Sequence, residues 1–215
     1  MSRARDIADV IGVKLTSPIV QTDSIKDDSG TRELASDSGS AWSWGSGVPV
    51  GSVLQVVTNT DNTEIGVDTG LQLYNYSQLN TAITLKKANS KILVQFNFGA
   101  LSFQDAGNLG YTKIMFKIGS GSYSDLTPIG ANAVNGSSNH HMAVNLTSNS
   151  YQVDAGPSMI GVHTTSSAKD TVVTYAPYFW GEGSGADVFI NRSFRNSNPS
   201  DFSTISSCTL IEIAT

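Results

Sequence analysis

The sequence predicts an all-β protein: an antiparallel β-sandwich or jelly-roll-like domain over 48–215, preceded by a short helix and an extended attachment segment over 1–47. Three observations predict it. Ser, Thr, Asn and Gly make up 84 of the 215 residues; Thr supports strands, while Ser, Asn and Gly favour turns over helix. Charged residues are only 14%, against roughly 25% in ordinary soluble domains, so hydroxyls and amides rather than ions carry the hydration. Finally, about ten apolar runs with period-two alternation recur at spacings of roughly 10–20 residues, and no helical period longer than a turn or two interrupts them. With 39% hydrophobic residues and a net charge of −5, the chain has the composition of a folding protein rather than a disordered one.

In chain order, Ala4, Ile7, Ala8 and Ile11 fall at i, i+3, i+4 and i+7, one face of a helix that Ser2 caps and Gly12 ends. A helix of about nine residues does not stand alone in water. The Ile7/Ile11 stripe suits burial against copies of itself or a host surface; a frayed terminus is the other reading. Val13, Leu15, Ile19, Val20 and Ile25 are then spread through polar residues, and Pro18 blocks helix, so this stretch reads as extended chain. Asp-Ser-Gly triplets at 28–30 and 37–39 read as turns. Residues 1–47 hold seven acids and five bases, and all fifteen Asn lie beyond them. A domain boundary therefore falls in the Ser/Gly-rich stretch around 36–49. Trp42 and Trp44 sit in that stretch two residues apart. Either they anchor against a neighbouring subunit or they dock on the chain's own sandwich.

From 48 onward the strands read as 52–59, 71–74, 82–85, 90–98, 111–118, 123–126, 141–146, 159–164, 170–180, 188–194 and 205–213. In 90–98, Ile92, Val94, Phe96 and Phe98 share one face. In 111–118, Ile114, Phe116 and Ile118 oppose Lys113 and Lys117. The aromatic run Tyr175, Tyr178, Phe179 and Trp180 reads as a core strand in which Pro177 marks an edge or bulge; stacking on sugar rings is its alternative use.

Several function classes drop out. Thirteen Lys and Arg within an acidic balance give no basic field for nucleic acid. The longest apolar runs are four or five residues, so no segment inserts in a membrane. The N-terminus lacks an apolar stretch of secretory length, which predicts a protein made without a signal peptide. Cys208, the single cysteine, excludes a disulfide framework within one chain and reads as a small buried apolar residue. No nucleophile elbow, phosphate loop or zinc-protease motif is present, and the eleven acids after 47 are scattered, mostly in loops. The sequence therefore predicts no catalytic residue, no cofactor and no enzyme. His140, His141 and His163 are the one metal-like constellation. Adjacent strand residues face opposite ways, so His140 and His141 would reach one ion only as single ligands contributed around the axis of an oligomer.

An ordered set of strings resembles the C-terminal β-sandwich module of bacteriophage tail-fibre-like virion proteins, particularly those of phages of marine bacteria and cyanobacteria. The strings are GSVLQVV at 51–57, DTGL at 68–71, AITL at 82–85, SKILV at 90–94, Thr174-Tyr175, Ile190-Asn191 and SSCTLIEI at 206–213. The opening MSRARDIA and the segment at 22–30 look like the start and the short shaft repeats of such fibres. The resemblance implies a non-enzymatic virion protein, usually a homotrimer, its N-terminus docked on other virion proteins and its sandwich turned outward toward a host glycan or protein. The stretch between anchor and tip is shorter here than in a typical fibre. That leaves open a capsid decoration or cement protein, and, from a different class, a carbohydrate-binding module or depolymerase. On the fibre reading, Ile7, Ile11, Trp42 and Trp44 belong to the assembly interface.

Overall fold

The computed structural model describes residues 24–26, 33–37, 42–44, 48–69, 72–104, 109–126, 142–145, 151–181, 187–192 and 203–215. The chain divides into two compact units, Met1–Val48 and Pro49–Thr215. In the first, β1 (Ser24–Lys26), β2 (Glu33–Asp37) and β3 (Trp42–Trp44) form an antiparallel sheet in chain order. Trp42 and Trp44 are thus strand residues paired with Asp37 and Ala35, where composition suggested a linker. The helix expected around Ile7 and Ile11 lies outside the described residues.

Among its described residues the second unit is all-β, and every strand pairing there is antiparallel. Its strands are β4 (Val53–Asp61), β5 (Ile65–Asp68), β6 (Tyr74–Asn75), β7 (Thr81–Thr84), β8 (Lys91–Asn97), β9 (Ala100–Gln104), β10 (Leu109–Ile118), β11 (Ser124–Asp125), β12 (Met142–Asn145), β13 (Tyr151–Ala155), β14 (Ser158–Thr164), β15 (Val172–Gly181), β16 (Asp187–Ile190) and β17 (Ser206–Ile213). A 3-10 turn, Ser77–Leu79, separates β6 from β7. One sheet has the order β14-β8-β17-β4 and another the order β13-β9-β16-β5. These are the same four chain segments in the same order, so the two sheets are one ribbon bent across its width. The opposing sheet runs β11-β10-β15-β6, with β12 also beside β10 and β7 also beside β15. Taking β4/β5, β6/β7, β8/β9, β10, β11/β12, β13/β14, β15 and β16/β17 as eight composite strands, the ribbon reads 6-3-8-1 and its partner sheet 5-4-7-2. That is the strand order of a jelly roll, the two-Greek-key sandwich.

The alternation of β8 places Ile92, Val94, Phe96 and, just beyond it, Phe98 in the core, all essentially inaccessible. Phe98 meets Phe179 of the opposing sheet edge-on at 5.3 Å, the favoured aromatic geometry. Strand β10 departs from its expected one-faced pattern. Ile114 is buried, but Phe116 is only partly so and Ile118 is 43% exposed, while Lys113 is 7% exposed. Pro177 marks neither edge nor bulge: β15 is a central strand. Its partners on one side are β7 for 172–175 and β6 for 178–179, so the missing proline N–H falls in the break between them. The Pro177 carbonyl still accepts from Tyr76 N at 3.2 Å, which is how a proline is tolerated inside a sheet.

The bend of the ribbon is fixed by close approach and by one asparagine. A Cβ on Gly99 would lie 2.5 Å from the Thr204 Cβ and 2.6 Å from the Ile205 carbonyl, so only glycine lets β8 turn into β9 there. Asn191 is fully buried with φ +62°. Its backbone N–H donates to Ala100 O and its carbonyl accepts from Thr204 N, both at 3.0 Å. Its side-chain amide donates to Asp61 O at 3.0 Å, Thr63 O at 3.2 Å and the Tyr76 hydroxyl at 3.0 Å. Its Oδ1 accepts from Ser206 Oγ at 2.5 Å. One side chain therefore ties β4, the turn into β5, β16 and β17 to a single corner.

Candidate functional site

The polar groups inside the sandwich serve the fold. Glu212 of β17 is fully buried. Its carboxylate accepts from Lys86 N at 2.9 and 3.0 Å, Lys87 N at 3.1 Å, Ser90 Oγ at 2.6 Å and Gln55 Nε2 at 2.5 Å. It closes the turn between β7 and β8 onto the edge strand β4. Asp61, partly exposed at the end of β4, is a second carboxylate held by hydrogen bonds. Burial alone would raise its pKa, but hydrogen bonds from the Tyr76 hydroxyl and from the Thr63 hydroxyl and backbone N–H outweigh that and hold it below the usual value. Cys208 is buried, and desolvation pushes its thiol up to about 12, far from the thiolate a nucleophile needs at neutral pH.

His163 of β14 points between the sheets. Its Nδ1 lies 2.7 Å from the Tyr175 hydroxyl and its ring 4.1 Å from that of Phe116, and burial lowers its pKa. This is a packed, neutral histidine. His140 and His141 lie outside the described residues, and among the described residues no three His, Cys, Asp or Glu side chains come together as metal ligands. The side chains of Trp42 and Trp44, and Ile7 and Ile11, expected at an assembly interface, likewise lie outside what is described.

What the structure brings together instead are two outer faces that the sequence did not single out. The outer face of the ribbon is aliphatic. Val162, Leu93, Ile211 and Val56 lie directly across from one another on β14, β8, β17 and β4, an apolar row crossing the sheet. Ile160 flanks it on one side and the Ile213–Val53 pair on the other. Val56, Val53, Ile160 and Val162 are each more than a third exposed. Lys91 is the one charged residue these four strands turn outward in that region.

The other face of the opposing sheet carries aromatic residues and lysines, and its middle is buried: Lys113, Met115 and Ala176 are each 9% exposed or less. The run from Tyr175 to Trp180 splits by period two: Tyr175 and Phe179 are buried in the core, while Tyr178 and Trp180 face out. Trp180 stacks on Tyr111 with centroids 4.6 Å apart. Tyr178 meets Tyr123 in a T-shape at 5.5 Å. Lys113 and Lys117, on β10 between these pairs, place their ammonium groups 5.9 Å from the Tyr111 centroid and 5.0 Å from the Tyr123 centroid. Lys113 Nζ also pairs with Asp125 at 2.8 Å. The spacing Tyr111, Lys113, Lys117 with Tyr178, Trp180 was the available signal. The register that joins the two sets is a tertiary fact.

The fold thus defines an eight-stranded antiparallel jelly-roll sandwich with an aliphatic and an aromatic outer face. No family model and no curated protein matches the chain in sequence. Solved structures with some likeness in backbone include the infectious bursal disease virus VP2 subviral particle, at 10% identity and TM-score 0.31, covering 75% of this chain and 38% of that one. A second is the infectious bursal disease virus Gx strain, at 11% identity and TM-score 0.27, covering 85% and 47%. The chain therefore spans less than half the length of either.

Proposed function

We infer that the chain is a non-enzymatic structural protein of a phage virion, tail-fibre-like, which associates with copies of itself as a homotrimer and displays the sandwich outward for host recognition. The resembling strings motivate the virion assignment, and the structure gives several of their residues a structural use: Ser90 and Glu212 bond to each other, and Asn191 holds the corner.

The observation that carries the assembly reading is the aliphatic outer face of the ribbon. One row is apolar across all four strands, about 4.8 Å apart, with Ile160, Ile213 and Val53 beside it; Gln95, Thr58 and Thr209 share the flank of Ile160, and Thr164 and Lys91 that of Ile213. A second copy is the occupant that its charge suits. The chain carries a net charge of −5, so identical copies repel unless they meet through a face nearly free of charge, and this face is one. Mass photometry of the purified chain tests the reading. A trimer that falls to monomer in Val56→Glu, with unchanged circular dichroism, supports it. A wild-type monomer at micromolar concentration refutes it. Cryo-microscopy of the particle separates a tail position from the capsid-decoration alternative by where the density falls.

A further inference from the structure

We propose that the end of the sandwich formed by the β7–β8 and β14–β15 turns binds a compact ligand carrying several phosphate groups, held by Lys86, Lys91 and Lys169. This goes beyond the assembly and host-recognition reading and does not rest on it. Beyond residue 47 the sequence holds eight Lys and Arg, and four of them, Lys86, Lys87, Lys91 and Lys169, fall in these two turns or just after one. Lys87 Nζ donates to Thr215 O at 2.9 Å. Lys86, Lys91 and Lys169 are exposed, and among the described residues no carboxylate lies within ion-pair distance of their ammonium groups.

The backbone that carries them is fixed. Leu85 N donates to Thr171 O at 3.0 Å and Asp170 N to Leu85 O at 2.9 Å. Asn89 N donates to Ser167 O at 3.0 Å and Thr165 N to Ser90 O at 2.9 Å. Glu212 holds the first turn from beneath through Lys86 N and Lys87 N. Three like charges thus stand on two turns bonded to each other, and a ligand that meets them does not have to order the backbone first. The exposed acid of these turns is Asp170, one carboxylate against three ammonium groups. The net charge of −5 does not cancel this local excess. Val53 lies at this end, opposite Ile213, which pairs with Lys91. Asp61 closes β4 at the other end, roughly 26 Å along the strand, about three screening lengths at physiological salt.

The chemistry of the turns selects the ligand. Residues 85–91 and 165–171 include no aromatic residue and no arginine, and their one large apolar side chain, Leu85, is fully buried. Nucleic-acid bases have nothing to stack on, and a protein interface or a bilayer finds no apolar anchor. Guanidinium forks suit planar carboxylates, whereas ammonium groups on flexible stems act as point charges that converge on phosphate. Three of them on adjoining turns suit phosphates crowded on one small scaffold.

The test is calorimetric titration of the full chain with inositol hexakisphosphate. Inorganic phosphate, a single-stranded oligonucleotide and phosphatidylglycerol vesicles are the comparisons. Saturable hexakisphosphate binding is expected, weakening as salt rises. It should fall about fivefold in Lys86→Gln and in Lys169→Gln and stay within about twofold of the parent in Lys117→Gln, on the opposing sheet. Circular dichroism of all three variants should match the parent, since the first two replace exposed side chains and the third a partly exposed one. No saturable binding overturns the proposal, as does an equal loss in Lys117→Gln, which would mean diffuse attraction without a site. Inorganic phosphate bound as tightly, the oligonucleotide bound more tightly, or binding confined to the vesicles overturns it too.

Discussion

Replacing Glu212 with alanine should cost the sandwich about 4 kcal/mol. The carboxylate takes hydrogen bonds from four donor groups, and they do not lose equally. Ser90 Oγ also lies 2.7 Å from Lys87 O, and Gln55 Nε2 lies 2.6 Å from Thr84 O, so both keep a partner. The N–H groups of Lys86 and Lys87 lose their acceptor. Each orphaned donor costs up to about 1–3 kcal/mol where it is cut off from water, and these two are part-buried; the removed methylenes leave a cavity whose cost adds to that. For a domain of this size, about 4 kcal/mol corresponds to a fall in melting temperature of roughly 8–16 °C. The assay is thermal and urea unfolding at one fixed protein concentration, since self-association would itself shift the midpoint. Glu212→Gln, which keeps an acceptor oxygen for the two N–H groups, should lose less than half as much. A loss below about 1 kcal/mol in the alanine variant would mean that water replaces the carboxylate, and the reasoning would fail.

Three further outcomes follow from the same geometry. Phe96→Ala should destabilise by about 3–5 kcal/mol, because its ring is fully buried against the opposing sheet; a urea midpoint close to the parent's would contradict that burial. Asn191→Ala should cost about 3–5 kcal/mol by urea unfolding, from the lost side-chain bonds and from forcing a Cβ residue without Asn's tolerance into φ +62°. Asn191→Gly relieves the backbone part, so equal losses in the two variants would remove strain from the account. His163 sets an acid limit. Its folded pKa lies below the usual 6.5 because burial disfavours the charged ring, so the unfolded chain binds the proton first as pH falls. Stability is therefore full above about 6.5 and declines as pH drops below it toward the folded value. The melting temperature of His163→Gln should lack that part of the slope between pH 7 and 5, and an unchanged slope would assign it elsewhere.

Strands with one buried face were legible in the sequence and others were not, for a physical reason. Strand β8 alternates because one side meets the core and the other meets solvent. Strand β9 carries Ala100, Leu101, Ser102 and Phe103, all buried, so period two vanishes and Gly99 reads as an end rather than a bend. Strand β17 inverts the simple reading. Alternation would put Ile211 and Ile213 inside and Glu212 outside, yet Cys208, Leu210 and Glu212 face the core. A carboxylate can sit there only because the β7–β8 turn, more than 120 residues earlier in sequence, aims its donors at it. Asn191 carries no local signal of its corner role, since its partners come from β4, the turn after it and β17. The aromatic face was half visible, in the spacing of Tyr178 and Trp180, but its lysines come from another strand.

The β4–β17 pairing also has a mechanical meaning. Strand β4 is the outermost strand of the ribbon, and it lies antiparallel to β17 from Ser206 opposite Asp61 to Ile213 opposite Val53. Gly51 and Ser52 extend the pairing by bonding Ala214 on both sides at 2.9 Å. A pull on the chain at Pro49, directed along β4, loads all of these bonds in parallel, as shear, rather than peeling them one at a time from an end. The sandwich is built to stay closed under traction along its first strand.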